Sequence, residues 1–328
     1  MLDIGLKPTN LEPLQPVFGK HLLYGVPLMR YTTAHSGGAA EALLEVHSIR
    51  QLVEVLSLCW KHDLPYLLLG GGSNVLISEA GVRGLVIINR ARAVRFDEQA
   101  DPPTVWAESG ANFGRLARQA AQRGLAGLEW AAGIPGTLGG AVVGNAGAHG
   151  GDMAGSLLMA EILHRSHDSK VEMPHVEQWP PEKLEYSYRS SLFKRQPGQS
   201  EVHENIHGRD SVVLGALLKL ERSTPAVVQA KMDEFVSYRK RTQPPGASLG
   251  SMFKNPPGDH AGRLIEAAGL KGFRVGDAQI SPVHANFFVN LGQARSTDIY
   301  ELIQAARQKV AELFGVTLEL EVELVGEW

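Results

Sequence analysis

Two glycine-rich segments contain the residues best suited to binding a ligand through the backbone. The shorter is GGGSN at residues 70–74, and the longer covers residues 133–151 within AAGIPGTLGGAVVGNAGAHGGD. Glycine costs backbone entropy on folding and fills no core, so we expect a bulky, charged ligand that lies against the main chain. The N–H groups of a tight turn can form a nest for an anion, such as the pyrophosphate of a dinucleotide. Ordinary surface turns or tight strand packing are the alternative.

Neither glycine segment has the spacing of a standard nucleotide-binding motif. No GxGxxG begins a helix after a strand, and no GxxxxGK[ST] is present. A Rossmann fingerprint and a P-loop are therefore both excluded.

A row of carboxylates near the C-terminus is a second candidate for chemistry. The alternation in VTLELEVEL (residues 316–324) predicts a strand with Thr317, Glu319, Glu321 and Glu323 on one face. Like charges repel, and partial burial would raise the pKa of at least one of these carboxyls. The alternative is a solvated strand face.

The segment HENIH at residues 203–207 matches the HExxH pattern of zinc proteases. That motif requires a helix with both histidines on one face and a third ligand. Here the segment is mostly polar and leads directly into a strand. We therefore predict an exposed loop and no metal site.

Helices and strands alternate along the part of the chain that must position these residues. Ser48 and Gln51 form a capping-box pattern at the start of a helix over residues 48–62. A second helix runs from Phe113 to Gly124. The segments PYLLL, GVRGLVIINR, PTVWAESG, SLLMAEILHR and SVVLGALLKLE are predicted strands.

Thr224 and Pro225 are the N-cap and first residue of a predicted helix that ends before Pro244, and we place a domain boundary there. Further helices are predicted near residues 261–268 and from Asp298 to Gly315, with a strand at NFFVN between them. We predict three parts: an N-terminal extension (residues 1–24), a domain of two subdomains (25–92 and 93–223) and a C-terminal domain (224–328).

The composition excludes several classes of protein. Of 328 residues, 44% are hydrophobic and 20% charged, as in a globular protein, and the net charge of -3 offers no footprint for nucleic acid. Cys59 is the only cysteine, which excludes an internal disulfide. The N-terminus lacks a signal-peptide pattern, and no run reaches the roughly 18–20 apolar residues of a membrane helix. We expect a soluble cytoplasmic protein.

Seven motifs then occur in one order between about Arg30 and Gly326: LGGGSNVLIS, GLEWAAGIPGTLGGAVVGNAGAHGGD, YSYRSSLFK, GSMFKNPPG, AGRLIEAAGLKG, HANFFVN and LELEVELVG. Together they closely resemble the UDP-N-acetylenolpyruvoylglucosamine reductases, flavoenzymes of peptidoglycan precursor synthesis. The resemblance implies an α+β protein. A vanillyl-alcohol-oxidase/PCMH-type FAD-binding fold of two α/β subdomains would precede a smaller α+β substrate-binding domain.

The resemblance also implies the ligands: FAD as cofactor, NADPH as electron donor and UDP-N-acetylglucosamine enolpyruvate as substrate. The glycine segments would then line the FAD pyrophosphate and flavin ring. The residues expected to bind FAD are Gly70, Gly71, Gly72, Ser73, Asn74, Gly133, Ile134, Pro135, Gly136, Thr137, Gly139, Gly140, Asn145, Ala146 and Gly147. We expect the protein to act as a monomer.

Three residues match the family's catalytic positions. Arg189 would be the cation beside the substrate carboxylate and the developing enolate, a task that suits a planar, always charged guanidinium. Ser251 would donate the proton to the enolate carbon, and Glu321 would be the acidic partner. A hydroxyl is a weak acid, so Ser251 needs neighbours that stabilise its alkoxide. Taken alone, Arg189 would be a surface cation and Ser251 a turn residue.

Polar residues nearby are expected to bind the substrate. These are Arg239 and Arg241 in SYRKRTQPP, facing the UDP diphosphate, together with Lys254, Asn255 and His284. Because Arg239, Lys240 and Arg241 point to different sides of a helix, only one or two of them can reach it.

Some residues depart from the family pattern. The family commonly has tyrosine where His149 stands and a larger residue where Gly144 stands. The run from Phe193 to residue 211 lacks an obvious extra tyrosine loop, which indicates the branch without that loop.

Two other functions are compatible with a flavin-binding fold. An FAD-linked oxidase would pass hydride from an alcohol to oxygen, but no histidine or cysteine lies in a flavin-tethering motif, and GSMFKNP and LELEVEL belong to the reductase. A non-catalytic flavin-binding module would lack Arg189, Ser251 or Glu321, and all three are present.

Overall fold

The computed structural model describes residues 9–166, 174–194, 202–203 and 210–328. The α-helices of this part are α1 (Gln15–Phe18), α2 (Ile49–Lys61), α3 (Phe113–Gln122), α4 (Leu138–Gly144), α5 (Met153–Ser156), α6 (Pro225–Thr242), α7 (Ala261–Ala267) and α8 (Ser296–Phe314). Short 3-10 segments lie at Glu12–Leu14, Gly19–His21, Leu28–Tyr31, Glu129–Ala131 and Pro181–Leu184. No helix in the described ranges has the length and apolar character needed to span a membrane.

The first layer is a four-stranded sheet in the order β1-β2-β5-β3. Its strands are β1 (Leu23–Pro27), β2 (Ala39–Val46), β3 (Tyr66–Leu69) and β5 (Val82–Asn89), whereas β4 (Val75–Ile77) belongs to another sheet. Strands β2, β5 and β3 are parallel, and α2 packs beside them through an apolar face that includes the buried Cys59. Helix α2 begins as predicted, because the Ser48 hydroxyl accepts the Gln51 N–H.

The second layer is a five-stranded antiparallel sheet in the order β12-β11-β14-β7-β6. Its strands are β6 (Val94–Asp97), β7 (Thr104–Glu108), β11 (Leu157–His164), β12 (His175–Trp179) and β14 (Ser211–Lys219). The short strands β8 (Leu125–Ala126), β9 (Gly147–Ala148), β10 (Gly151–Asp152), β13 (Val202–His203) and β15 (Glu221–Arg222) lie outside this sheet. Helices α3 and α4 pack on this sheet. Helix α4 forms inside the glycine tract, where no helix is predicted from the sequence.

The third layer is a four-stranded antiparallel sheet in the order β16-β19-β18-β17. The remaining strands are β16 (Ala247–Ser251), β17 (Arg274–Val275), β18 (Ala278–Ile280), β19 (Phe287–Asn290) and β20 (Glu323–Val325). Helices α7 and α8 cover this sheet and share its apolar core. Helix α8 begins two residues earlier than the predicted Asp298.

Helix α6 begins at Pro225 as predicted, because the Thr224 hydroxyl accepts the Val227 N–H. Its buried side chains, Val228 and Met232, belong to the core of the second layer rather than that of the third. The division into three parts at residues 24 and 224 stays a prediction.

The predicted strand over residues 316–324 is wrong in extent. Strand pairing is confined to β20 and one isolated antiparallel bridge between Leu320 and Phe253, although Leu318, Leu320 and Val322 are buried as the alternation predicts. The preceding backbone is extended but makes only scattered bonds, from Glu321 N–H to the Met252 carbonyl and from Lys254 N–H to that of Glu319. Strand β20 then lies between β13 and β4, parallel to both, and brings the C-terminus to the first glycine segment.

Candidate active site

The two predicted glycine segments line one cavity of about 600 Å³. Residues 70–74 leave the carboxyl end of β3, and the long tract faces them from the second layer. All the residues predicted to bind FAD lie in the wall of this cavity except Gly133 and Asn145. Tertiary structure therefore joins segments that are about sixty residues apart in sequence.

Some glycines are required by contact between the segments themselves. A Cβ on Gly71 would lie 2.8 Å from the Cα of Gly136, too close for two carbon atoms. Gly136 has a φ of 118°, a conformation that favours glycine, and the Ser73 hydroxyl donates to the neighbouring Pro135 carbonyl at 3.3 Å. Close packing of backbone on backbone thus explains part of the glycine content.

Other glycines leave open space on the cavity side of α4. A Cβ on Gly140 would meet only the Thr137 hydroxyl, at 3.7 Å, and one on Gly144 only the Lys194 side chain, at 3.8 Å. The two glycines therefore clear a smooth helix face beside bare backbone. A flat, extended ligand with a phosphate group, such as FAD, fits this surface.

Gly133 and Asn145 support the cavity from behind its wall. Gly133 lies against the side chain of Arg239, with a φ of 75°. Asn145 is buried, donating from Nδ2 to the Ser187 carbonyl at 2.9 Å and accepting the Ala154 N–H at Oδ1.

The segment that contains Arg189 is fastened to α4 by side chains on both sides of the arginine. Tyr186 donates its hydroxyl hydrogen to the Val142 carbonyl at 3.0 Å, and Ser191 donates to the Val143 carbonyl at 2.6 Å. Burial raises the pKa of the Tyr186 phenol, which keeps it a donor. The tight turn between these anchors gives Arg189 a φ of 53° and directs it into the cavity.

Arg189 contacts Glu321 across the cavity. Its Nη2 donates to the Gly147 carbonyl at 2.6 Å, and its Nε lies 2.8 Å from Glu321 Oε1 without the alignment of a hydrogen bond. Burial raises the pKa of the Glu321 carboxyl, opposed by the positive charges of Arg189, Lys194 and Lys254. This carboxyl can therefore take up a proton more readily than an exposed glutamate can.

Repulsion between the carboxylates of the row, which the sequence suggested as one cause of a raised pKa, does not contribute to the raised pKa of Glu321. Each glutamate of the row has its own cation: Lys254 for Glu319, Arg189 for Glu321 and Lys194 for Glu323. Burial of Glu321 is the dominant effect.

Ser251 lies in the wall of the same cavity, at the end of β16. The next residue, Met252, accepts the Glu321 N–H at its carbonyl and donates its own N–H to the Asn286 carbonyl, at 2.9 and 2.8 Å. The Asn286 side chain bonds both backbone groups of Phe253. Ser251 and Glu321 are thus held at neighbouring positions by backbone hydrogen bonds.

Of the residues predicted to bind substrate, only Arg239 lines the cavity. Burial lowers the pKa of its guanidinium. Arg241 instead lies over the exposed ring of Tyr238.

The three other predicted substrate residues make contacts inside the third layer. Lys254 pairs with Glu319, Asn255 accepts the Ala261 N–H at 3.1 Å, and His284 Nδ1 accepts the Asn286 N–H at 3.2 Å. Their predicted role in substrate binding stays a prediction.

His149 also lies in the cavity wall, stacked on Phe235 with ring centroids 4.2 Å apart. Its Nε2 is buried and has no hydrogen-bond partner among the described residues. Burial and the charge of Arg239 lower its pKa, which favours the neutral form of the ring. Gly144 forms part of the same wall, and its place leaves room for the larger residue usual in the family.

Lys194, which is not among the residues predicted from the sequence, has a side chain that lines the cavity and is only 12% exposed. Its place five residues after Arg189 in YSYRSSLFK was the available signal. Four of the five residues of HENIH, where an exposed loop is predicted, lie outside the described residues, and the backbone of His203 is part of β13.

Comparison with known proteins agrees with this arrangement. Residues 40–163 match the family model of an FAD binding domain, and residues 242–325 match that of the C-terminal domain of UDP-N-acetylenolpyruvoylglucosamine reductase. The reductase of Chloroflexus aggregans is 44% identical over 299 residues, which cover 91% of this chain and 96% of the relative. The chain belongs to the UDP-N-acetylenolpyruvoylglucosamine reductase family.

Other relatives of this family agree over the same extent. The reductase of Rubrobacter xylanophilus is 45% identical over 301 residues, covering 92% of this chain and 94% of the relative. The crystal structure of the reductase of Thermus caldophilus superimposes with a TM-score of 0.72 at 37% identity, covering 93% of this chain and 98% of the other. The predicted fold, a PCMH-type FAD-binding fold followed by a smaller α+β domain, is confirmed. The chain is an FAD-containing oxidoreductase, and the family favours a reductase over the FAD-linked oxidase.

Proposed function

We propose that this chain reduces UDP-N-acetylglucosamine enolpyruvate to UDP-N-acetylmuramate with NADPH as electron donor, in peptidoglycan precursor synthesis. The observation that carries the proposal is that Arg189, Ser251 and Glu321 line one cavity with both glycine segments. On this proposal the enzyme works as a cytoplasmic monomer and serves cell-wall growth, cell shape and cell division.

The glycine segments hold the cofactor in this proposal. Bound FAD supplies the hydride chemistry, from NADPH to the terminal carbon of the enolpyruvyl double bond. Residues 70–74 and 134–147 bind it through bare backbone and the open face of α4. Gly133 and Asn145 support that surface from behind.

Arg189 binds the substrate carboxylate and stabilises the enolate that forms beside it. Its Nη2 and Nε are already oriented by the Gly147 carbonyl and the Glu321 carboxyl, so little reorganisation is needed when charge develops. The rigid turn between Tyr186 and Ser191 keeps the guanidinium in place. Positioned charge of this kind commonly accounts for about 10²–10³ in rate.

Ser251 donates the proton to the carbon next to the one that receives hydride. The hydroxyl is a weak acid, and the cation of Arg189, which lines the same cavity, stabilises the alkoxide left behind. Glu321 orients Arg189 and is the carboxyl best placed to return a proton to Ser251, because burial raises its pKa.

Arg239 binds the UDP diphosphate. It is the predicted phosphate-binding cation that lines the cavity, and its stem rests against Gly133. A guanidinium can bind phosphate oxygens in a bidentate manner. Arg241 packs over the Tyr238 ring and is not part of the cavity wall, so it is left out of this role.

The test is stepwise reduction of the purified holoenzyme. The protein should carry a yellow flavin spectrum, anaerobic NADPH should bleach it, and UDP-N-acetylglucosamine enolpyruvate should restore it with one UDP-N-acetylmuramate formed per NADPH consumed. A colourless protein that refuses added FAD would remove the proposal. Colour restored by oxygen but not by the enolpyruvyl substrate would favour the oxidase.

A further inference from the structure

Lys194 is a nearly buried cation in the cavity wall, five residues after Arg189. Its Nζ lies 3.3 Å from Glu323 Oε1 and 3.5 Å from the carbonyl oxygen of Glu321. Burying an ammonium group is costly unless it is paired and hydrogen-bonded. Lys194 meets both conditions, so its contacts form a specific buried interaction rather than an incidental surface contact.

The carbonyl of Glu321 is held from a second side. It also accepts a hydrogen bond from Asn74 Nδ2 at 3.1 Å, and the Asn74 carbonyl accepts the Glu323 N–H at 2.9 Å. Lys194 and Asn74 thus fix the backbone on which the Glu321 carboxyl depends. Asn74 belongs to the first glycine segment, so the same bonds connect this backbone to the cofactor surface.

Lys194 and Arg189 reach Glu321 from one fixed segment. The Lys194 N–H donates to the Ser191 carbonyl at 2.8 Å, and the Ser191 hydroxyl is bonded to α4. Arg189 contacts the carboxyl of Glu321, while Lys194 contacts its carbonyl. Substitution of Lys194 should therefore change both the position of the Glu321 backbone and the charge that acts on the Glu321 carboxyl.

Three cations act on the Glu321 carboxyl, and two of them are paired with neighbouring glutamates. Burial raises its pKa, whereas Arg189, Lys194 and Lys254 lower it. Lys254 is paired with Glu319, and Lys194 is paired with Glu323 two residues along the chain. Glu323 thus offsets part of the charge that Lys194 presents to Glu321.

We propose that Lys194 is a positioning residue for Glu321, and that Glu323 sets how strongly the charge of Lys194 acts there. The proposal rests on the role of Glu321 in the proposed function. It requires the two side chains to act in opposite directions: loss of the lysine charge favours the protonated form of Glu321, and loss of the Glu323 charge favours the ionised form.

The test is titration of the Glu321 carboxyl in the FAD-loaded enzyme by infrared difference spectroscopy, with Glu321→Gln to assign its band. Lys194→Gln should move the titration to higher pH by about one pH unit, the size of effect expected for a nearby charge. Glu323→Gln should move it to lower pH, and Lys194→Arg should restore the wild-type position. The limb of the kcat profile that Glu321→Gln abolishes should shift in the same directions, with KM for the enolpyruvyl substrate changed less than kcat.

An unmoved titration in Lys194→Gln, with only a lowered melting temperature, would assign Lys194 a merely structural role and overturn the proposal. Equal shifts in one direction for Lys194→Gln and Glu323→Gln would overturn it as well. The infrared titration needs no substrate, so its result is separate from the failure of the proposed function, which is judged on turnover by the wild-type enzyme.

Discussion

The Nε atom of Arg189 lies 2.8 Å from the Oε1 atom of Glu321, although 131 residues separate them in the chain. The arginine comes from a tight turn fastened to α4, and the glutamate from extended chain that leads into β20. The pair therefore forms only when the C-terminal strand has returned to β4. Assembly of the candidate site is thus coupled to completion of the fold.

Arg189→Lys should lower kcat by about 10²–10³ while the enzyme stays folded and yellow. Lysine keeps the positive charge but cannot contact the Gly147 carbonyl, the Glu321 carboxyl and a substrate carboxylate with one planar group. Steady-state kinetics with the enolpyruvyl substrate measure the effect, and Arg118→Lys on the exposed face of α3 is the matched control. Wild-type kcat in Arg189→Lys would contradict the assigned role.

Ser251→Ala should leave bleaching of the flavin by NADPH intact and slow its recovery with the enolpyruvyl substrate by about 10²–10⁴. The two half-reactions separate because only the second needs a proton on the substrate carbon. Stopped-flow absorbance of the flavin measures both. Ser248→Ala, on the same strand but outside the cavity wall, should recover at the wild-type rate. Fast recovery in Ser251→Ala would remove the proton-donor assignment.

Two alanine substitutions should separate packing from cofactor binding. Gly71→Ala places a methyl group against the Gly136 backbone, so both the melting temperature and FAD binding should fall, with a cost of about 1–3 kcal/mol in the free energy of unfolding. Gly140→Ala lies in helix α4 with open space beside it, so the FAD-free protein should gain about 0.5–1 kcal/mol.

The same Gly140→Ala variant should bind FAD more weakly, because its methyl group projects into the cavity. Thermal unfolding without FAD and fluorescence titration with FAD measure the two effects. Unchanged stability in Gly71→Ala, or unchanged FAD affinity in Gly140→Ala, would show that these glycines do not have the roles assigned here.

Stability should fall as the pH drops below about 6.5, in part through His284. Burial lowers the pKa of its imidazole from the ordinary 6.5, and Nδ1 must stay unprotonated to accept the Asn286 N–H. Below pH 6.5 the unfolded chain therefore binds a proton that the folded chain does not, and the free energy of unfolding decreases. Above that range both states are neutral and the effect vanishes.

His284→Gln should lose less stability than the wild type between pH 7.5 and pH 5.5 in urea unfolding. His62→Gln, on an exposed side chain, should follow the wild-type curve. Parallel curves for wild type and His284→Gln would show that the titration of His284 does not contribute to acid unfolding.

Local signals in the sequence predicted most elements correctly. The caps at Ser48 and Thr224, the apolar periodicity of α8 and the turn glycines act within a few residues, so they can be recognised without the fold. The ordered motifs also identified the family and its FAD-binding fold. The extent of the C-terminal strand was missed, because alternation of burial persists where strand pairing does not.

Only the tertiary structure decided which polar residues share the cavity. The sequence could not tell that Arg239 lines the wall while Arg241 lies outside, since that depends on how α6 is rotated against the second layer. Nor could it pair each glutamate of the C-terminal row with its own cation, or place Lys194 beside Glu323. Sequence determined the residue types and the local conformation. Long-range packing determined burial and the distances between charges, and these set the pKa of Glu321 and the geometry of the site.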